Sequence, residues 1–162
     1  MEAHRIHKEY IAFLRGSVSL LEGLIDMPIG REGGEIRVRQ WVNVPDAVEA
    51  KTRYKTVQSC DDFSVVRAYP ETGRLHQIRV HFAAIGHPIL GDPLYTGAGE
   101  IYRKMVVGKA TVADRESLGF PRVALHAAAL SFPHPTSKRD LRIEAPLPED
   151  MQNGISDKLV AS

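Results

Sequence analysis

Between Thr72 and Gly91 the sequence places Arg74, Arg79, His76, His81 and His87, with no Asp or Glu among them. Guanidinium groups gathered in this way seek carboxylates or phosphates, because their five donors form a rigid fork that does not deprotonate. Imidazoles in a cluster also raise the possibility of a metal. Spacing argues against it: His76 and His81 are five residues apart, about 140° around a helix, whereas helical ligand pairs use spacings of three or four. Nucleophilic chemistry is not advertised elsewhere. The one cysteine, Cys60, stands beside Asp61 and Asp62, charges that disfavour a thiolate, and neither a phosphate-binding Gly-rich loop nor a Gly-x-Ser-x-Gly elbow occurs.

The elements that must position these residues read as a largely antiparallel sheet followed by helices. Residues 8–14 are rich in strand formers, and residues 35–42 alternate, with Ile36, Val38 and Val42 on one face and Arg37, Arg39 and Trp41 on the other, predicting a strand with a basic outer side. Residues 50–59 and 63–69 predict a hairpin closed by Cys60, Asp61 and Asp62. From Thr72 the period changes: Leu75, Ile78, Phe82 and Ile85 step by three and four, predicting a helix with Thr72 as N-cap and Gly86 as its left-handed C-terminal cap. Arg79 then stands about 40° beyond Leu75, at the margin of the buried stripe. It either meets an anionic ligand, snorkels to water, or pairs with a structural acid such as Asp92; residue types alone favour the last two. Short helices are expected at 100–107 and 113–118, strands at 123–132 and 141–144, and a terminal helix after Pro148. The fold class is α+β.

Composition sets the outer limits. The 162 residues are 43% hydrophobic and 25% charged, ordinary values for a globular domain that buries roughly two thirds of its unfolded surface. A formal net charge of +1 gives no global pull on nucleic acid or membrane, so any polyanion partner must be held by a local patch. No run of about 18 apolar residues is present and no signal-peptide core follows Met1, which leads us to expect no membrane partner and a cytoplasmic location.

The segment from Thr72 to His81, Thr-Gly-Arg-Leu-His-Gln-Ile-Arg-Val-His, followed by Gly-His-Pro-Ile-Leu-Gly-Asp-Pro-Leu-Tyr from Gly86 to Tyr95, closely resembles the signature of the RluA-type RNA pseudouridine synthases. Lys8-Glu9-Tyr10, Pro28-Ile29-Gly30-Arg31 and Leu125-His126-Ala127 fall in the family's order, so the resemblance runs along nearly the whole chain. It implies isomerisation of uridine to its C5-glycoside in rRNA or tRNA, with no metal and no cofactor, on a mixed fold around an antiparallel sheet. By this resemblance Tyr10 is the active-site tyrosine that stacks on the target base, and Arg79 forms the ion pair with the catalytic aspartate. Arg74, His76 and Gln77 face the RNA, and Ile78 and Leu90 line the pocket.

One part of the signature is missing. The family's catalytic aspartate lies in an Arg-Leu-Asp-x-x-Thr-Ser-Gly type motif upstream of Lys-x-Tyr, and these 162 residues contain no such motif. The expectation is an incomplete pseudouridine synthase catalytic domain over residues 1–150, with 151–162 a tail. Alone it would be inactive, its Arg79 without an ion-pair partner and some core faces open to a complementing upstream fragment. The alternative is a non-catalytic RNA-binding module derived from that fold.

Overall fold

The computed structural model describes residues 6–160. Six strands form one antiparallel sheet: β1 (His7–Arg15), β2 (Glu22–Asp26), β5 (Lys51–Ser59), β6 (Phe63–Pro70), β7 (Leu125–Pro133) and β8 (Asp140–Glu144), in the order β2-β5-β6-β1-β7-β8. Two short strands, β3 (Ile29–Gly30) and β4 (Trp41–Val42), pair separately. The helices are α1 (Gln77–Ala84), α2 (Glu100–Val106), α3 (Val112–Glu116) and α4 (Glu149–Val160). The α+β class, the β5–β6 hairpin and the two short helices agree with the sequence pattern.

Register decides what each face carries, because successive side chains alternate. Tyr10 of β1 lies opposite Ala68 of β6, and Ala68 opposite Tyr54 of β5, so these residues share a face. Helix α1 covers this side, where Phe82 meets Tyr54 edge-on with ring centroids 5.6 Å apart. Phe13 points to the other side and packs against Phe120 at 5.8 Å. Met151 of α4 is fully buried in the same core, so the packing runs past the expected boundary at residue 150.

Over β7 and β8 the first face has no covering layer among the described residues. Leu130 lies directly opposite Ile143, and Phe132 opposite Leu141. Ile143 is 58% exposed and Leu130 and Leu141 are each 37% exposed. Leu130 is also the partner of Lys8 in β1, so this bare apolar strip begins beside Tyr10.

Two expectations fail for identifiable reasons. Residues 35–42 contribute only the two-residue β4; Arg39 N–H bonds Ile36 O at 3.0 Å and turns the chain there. Arg39 lies inward, 9% exposed, with its guanidinium carbon 4.5 Å from the Trp41 ring centroid and 5.4 Å from that of Tyr95. Stacking on two rings has overridden the alternation. The helix starts at Gln77, five residues after Thr72, which leaves Leu75 54% exposed and outside the apolar stripe. Its N-cap is His76, in a left-handed conformation with φ 56°. The C-terminal end follows the pattern: Gly86 has φ +88°, its N–H bonds Ala83 O, and His87 N–H bonds Phe82 O, a Schellman closure.

Candidate functional site

A cleft of about 270 Å³ opens where the start of β1, the end of β6 and the entry to α1 meet. Lys8, Tyr10, Arg74, His76, Ile78 and Arg79 line it, together with Gln77 and Leu125. Every singled-out residue except Leu90 is therefore in one place. Leu90 is 3% exposed in the core, where its N–H bonds Phe13 O and its carbonyl accepts from Ala124 N–H. It ties β1 to the approach to β7 and is not a wall of the cleft.

Gln77 lines the cleft but has nothing left to offer a ligand. Its Nε2 donates to Lys51 O at 2.9 Å and to Thr52 Oγ1 at 3.0 Å; its Oε1 accepts from Thr72 Oγ1 at 2.7 Å and from Arg74 N at 3.0 Å. With all four valences used, it clamps the start of α1 to β5, so among the residues expected to face RNA it holds the cleft's shape. The chain of bonds continues from Thr52 to His81 Nδ1 at 2.9 Å and from His81 Nε2 to Met27 O at 2.9 Å. His81 is fully buried, and burial holds its pKa below the ordinary value although the Met27 carbonyl works against the shift. It is a core histidine.

Arg79 is not waiting for an acid. Its Nε donates to Asp92 Oδ2 at 2.7 Å and its Nη2 to Asp92 Oδ1 at 2.9 Å, a bidentate pair. Asp92 is fully buried, and its Oδ1 also accepts from Leu94 N and Tyr95 N. Burial opposes the charge on Arg79, but the Asp92 hydrogen bonds and charge outweigh it and raise the pKa. This corrects the expectation of a guanidinium without a partner. What remains toward the cleft is the Nη1 edge.

The cleft is rich in donors. Arg74 anchors its Nε on Glu49 O at 3.0 Å and leaves both terminal amino groups without a partner among the described residues. Lys8, which sequence reading left outside the site, forms no ion pair among the described residues and extends to Gly73. The signal was its position two residues before Tyr10, which puts it on the same face of a strand. Among the described residues, none that lines it is Asp or Glu. Glu9, next to Tyr10, faces the other side of the sheet, where Arg67 and Arg142 hold it.

Such a basic, donor-lined cleft beside a partly buried tyrosine fits a phosphorylated, base-bearing ligand. The sequence model of the RNA pseudouridylate synthase family matches residues 1–84, which include β1, Arg74 and Arg79. The chain belongs to that family. It is 38% identical over 150 residues to the uncharacterized RNA pseudouridine synthase YjbO of Bacillus subtilis (strain 168), covering 93% of this chain and 46% of that protein. It is likewise 38% identical over 156 residues to the ribosomal large subunit pseudouridine synthase D of Xanthomonas campestris pv. campestris, covering 96% and 45%. Among solved structures, human RNA Pseudouridylate Synthase Domain Containing 1 superposes with a TM-score of 0.63 at 30% identity, covering 88% of this chain and 55% of that one. Human RNA Pseudouridylate Synthase Domain Containing 4, at 24% identity and a TM-score of 0.69, shares the fold. The chain thus spans about half the length of the curated relatives it matches.

Proposed function

We propose that this pseudouridine synthase family chain forms the RNA-holding half of an active site that isomerises uridine to pseudouridine in rRNA or tRNA. The observation that carries the reading is the cleft itself, which gathers Tyr10, Arg74, His76 and Arg79 from segments far apart in the sequence. A target base leaves its stack to enter such a cleft and lies against Tyr10. Arg74 and Lys8 take phosphate oxygens. Arg79, held rigid by Asp92, presents its free edge to an attacking carboxylate, an orienting and electrostatic task.

That carboxylate comes from outside these 162 residues. Asp92 is fully buried and occupied, and no other acid among the described residues lines the cleft. The bare apolar strip of Leu130, Leu141 and Ile143 beside Tyr10 is where the aspartate-bearing segment rests, because an exposed apolar face next to a site calls for a covering layer. The test is tritium release from RNA labelled at uridine C5, with and without an added fragment carrying Arg-Leu-Asp-x-x-Thr-Ser-Gly. Release only with the fragment supports the reading. Turnover by the 162-residue chain alone refutes the outside origin of the nucleophile.

A further inference from the structure

His76 is built into the cleft in a way that its proposed contact with RNA does not explain. Its backbone is left-handed, φ 56° and ψ 14°, a conformation that is unfavourable for a residue with a Cβ. Its ring stands edge-on to that of Tyr95, with centroids 5.7 Å apart at 89°. Its Nδ1 is 3.1 Å from the Tyr95 hydroxyl, while its Nε2 bonds no protein group among the described residues and the residue lines the cleft.

Hydrogen-bond accounting settles the direction of that contact. Tyr95 is almost completely buried and its oxygen already accepts from Gln40 N–H at 2.9 Å. Its own proton must find an acceptor, since a buried unmet donor is costly. Among the described residues His76 Nδ1 is the acceptor within reach. The lone pair is therefore on Nδ1 and the proton on Nε2. Protonating the ring would put a second hydrogen between Nδ1 and the hydroxyl and leave the Tyr95 O–H without a partner. Burial and the neighbouring Arg79 charge act in the same sense, against a partial counterweight from Asp92.

We propose that His76 is an RNA-reading residue: an Nε2–H donor, its tautomer dictated by Tyr95, that takes one hydrogen-bond-accepting oxygen of the bound RNA. This rests on the RNA reading of the cleft. Two sources present such an oxygen, a uracil carbonyl and a phosphate. At a base-facing position a cytosine amino group in place of the uracil carbonyl would set donor against donor, so the carbonyl source also discriminates between the two pyrimidines.

Two measurements test this on the 162-residue chain. Long-range proton–nitrogen NMR on 15N-histidine protein, with the residue 76 signals identified by their loss in His76→Gln, reads the tautomer directly. We expect a protonated Nε2 and a bare Nδ1 that persist on acidification past the ordinary histidine range, about pH 6.5. In Tyr95→Phe the two tautomers mix and the ring takes up its proton at a higher pH. The other ionisable groups facing the ring, Arg79 and Asp92, are unchanged by that variant, as are Lys8 and Arg74 across the cleft. A protonated Nδ1 in the neutral wild-type ring overturns the proposal without recourse to any variant. The second measurement is fluorescence anisotropy with stem-loop RNAs that differ by uridine or cytidine at the loop. His76→Ala should weaken binding by about fivefold to tenfold, the value of one neutral hydrogen bond. Loss confined to the uridine loop identifies the carbonyl, and equal loss identifies the phosphate. No loss on either RNA overturns the contact. If wild-type protein binds neither RNA, the functional reading of the cleft fails, while the NMR result still decides whether Tyr95 sets the tautomer.

Discussion

The Arg79–Asp92 pair makes an asymmetric prediction. Asp92 is fully buried, whereas the Arg79 side chain keeps 19% of its surface. Removing one member of a buried pair typically costs about 3–5 kcal/mol, because the survivor is left charged and unmatched. In Asp92→Asn the survivor is Arg79, which still reaches water through the cleft, so the loss belongs at the lower end, about 3 kcal/mol. At roughly 2–4 °C per kcal/mol for a domain of this size, the thermal midpoint should fall by about 6–12 °C. In Arg79→Met the survivor is a carboxylate with no solvent and only Leu94 N–H and Tyr95 N–H for company. That loss should exceed the first and approach 5 kcal/mol. The double variant removes both charges and should cost much less than the sum, with a coupling of about 2 kcal/mol or more. Urea unfolding of the four proteins gives the cycle. Additive losses, or Asp92→Asn costing more than Arg79→Met, would refute the claim that Asp92 is the buried anchor and Arg79 its solvent-facing partner.

Three further outcomes follow from the same contacts. Gln77→Ala breaks four hydrogen bonds, strands Arg74 N–H, and should cost about 2–4 kcal/mol by urea unfolding; it should also weaken RNA binding although no valence of the Gln77 amide is free, because Arg74 N–H loses its tether. Gly86→Ala meets nothing within 4 Å and pays only for its φ of +88°, about 1 kcal/mol. Gly91→Ala would set a Cβ 1.7 Å from Arg122 O, so it should exceed Gly86→Ala by about 2 kcal/mol or more, read from the two urea midpoints. Burial depresses the pKa of His81 in the folded chain, so the unfolded chain binds the proton first as pH falls. Stability is therefore full above about pH 6.5 and declines from there toward the folded-state pKa; a urea midpoint that does not fall between pH 7.5 and 5.5 would contradict the buried, neutral ring.

Sequence pattern exposed the sheet better than the site. The β5–β6 hairpin was legible because residues 50–59 and 63–69 combine strand formers with a short polar loop, and local pairing needs no distant partner. Residues 35–42 alternate just as well yet form no long strand, because Arg39 finds two aromatic rings and Ile36 joins a cluster with Leu94 and Tyr95. Periodicity records which side chains could share a face and not which partners exist in space. The same limit explains Gln77. A polar residue in a basic motif reads as ligand-facing, and only the arrival of Thr52 and Lys51 from β5 shows its valences to be spent. Arg79 had Asp92 as a candidate partner on residue types alone, but the bidentate geometry depends on where the chain returns after α1.

That return explains why the two halves of the motif are one unit. Helix α1 runs only from Gln77 to Ala84 and stops at the Gly86 closure. Ile89 then bridges Leu14 of β1 and Leu90 bonds Phe13 O. These contacts fix the chain direction before Asp92, which turns the following residues back by accepting Leu94 N–H and Tyr95 N–H. Asp92 thus lands against Arg79, and Tyr95 lands against His76. Arg79 and His76 both line the cleft, and neither of their partners does. The second half of the motif therefore acts from behind, setting the charge pairing of one residue and the tautomer of the other. A one-residue insertion between Gly86 and Asp92 would break both contacts together while sparing the β5–β6 hairpin, so loss of RNA binding with retained sheet structure is the outcome this coupling requires.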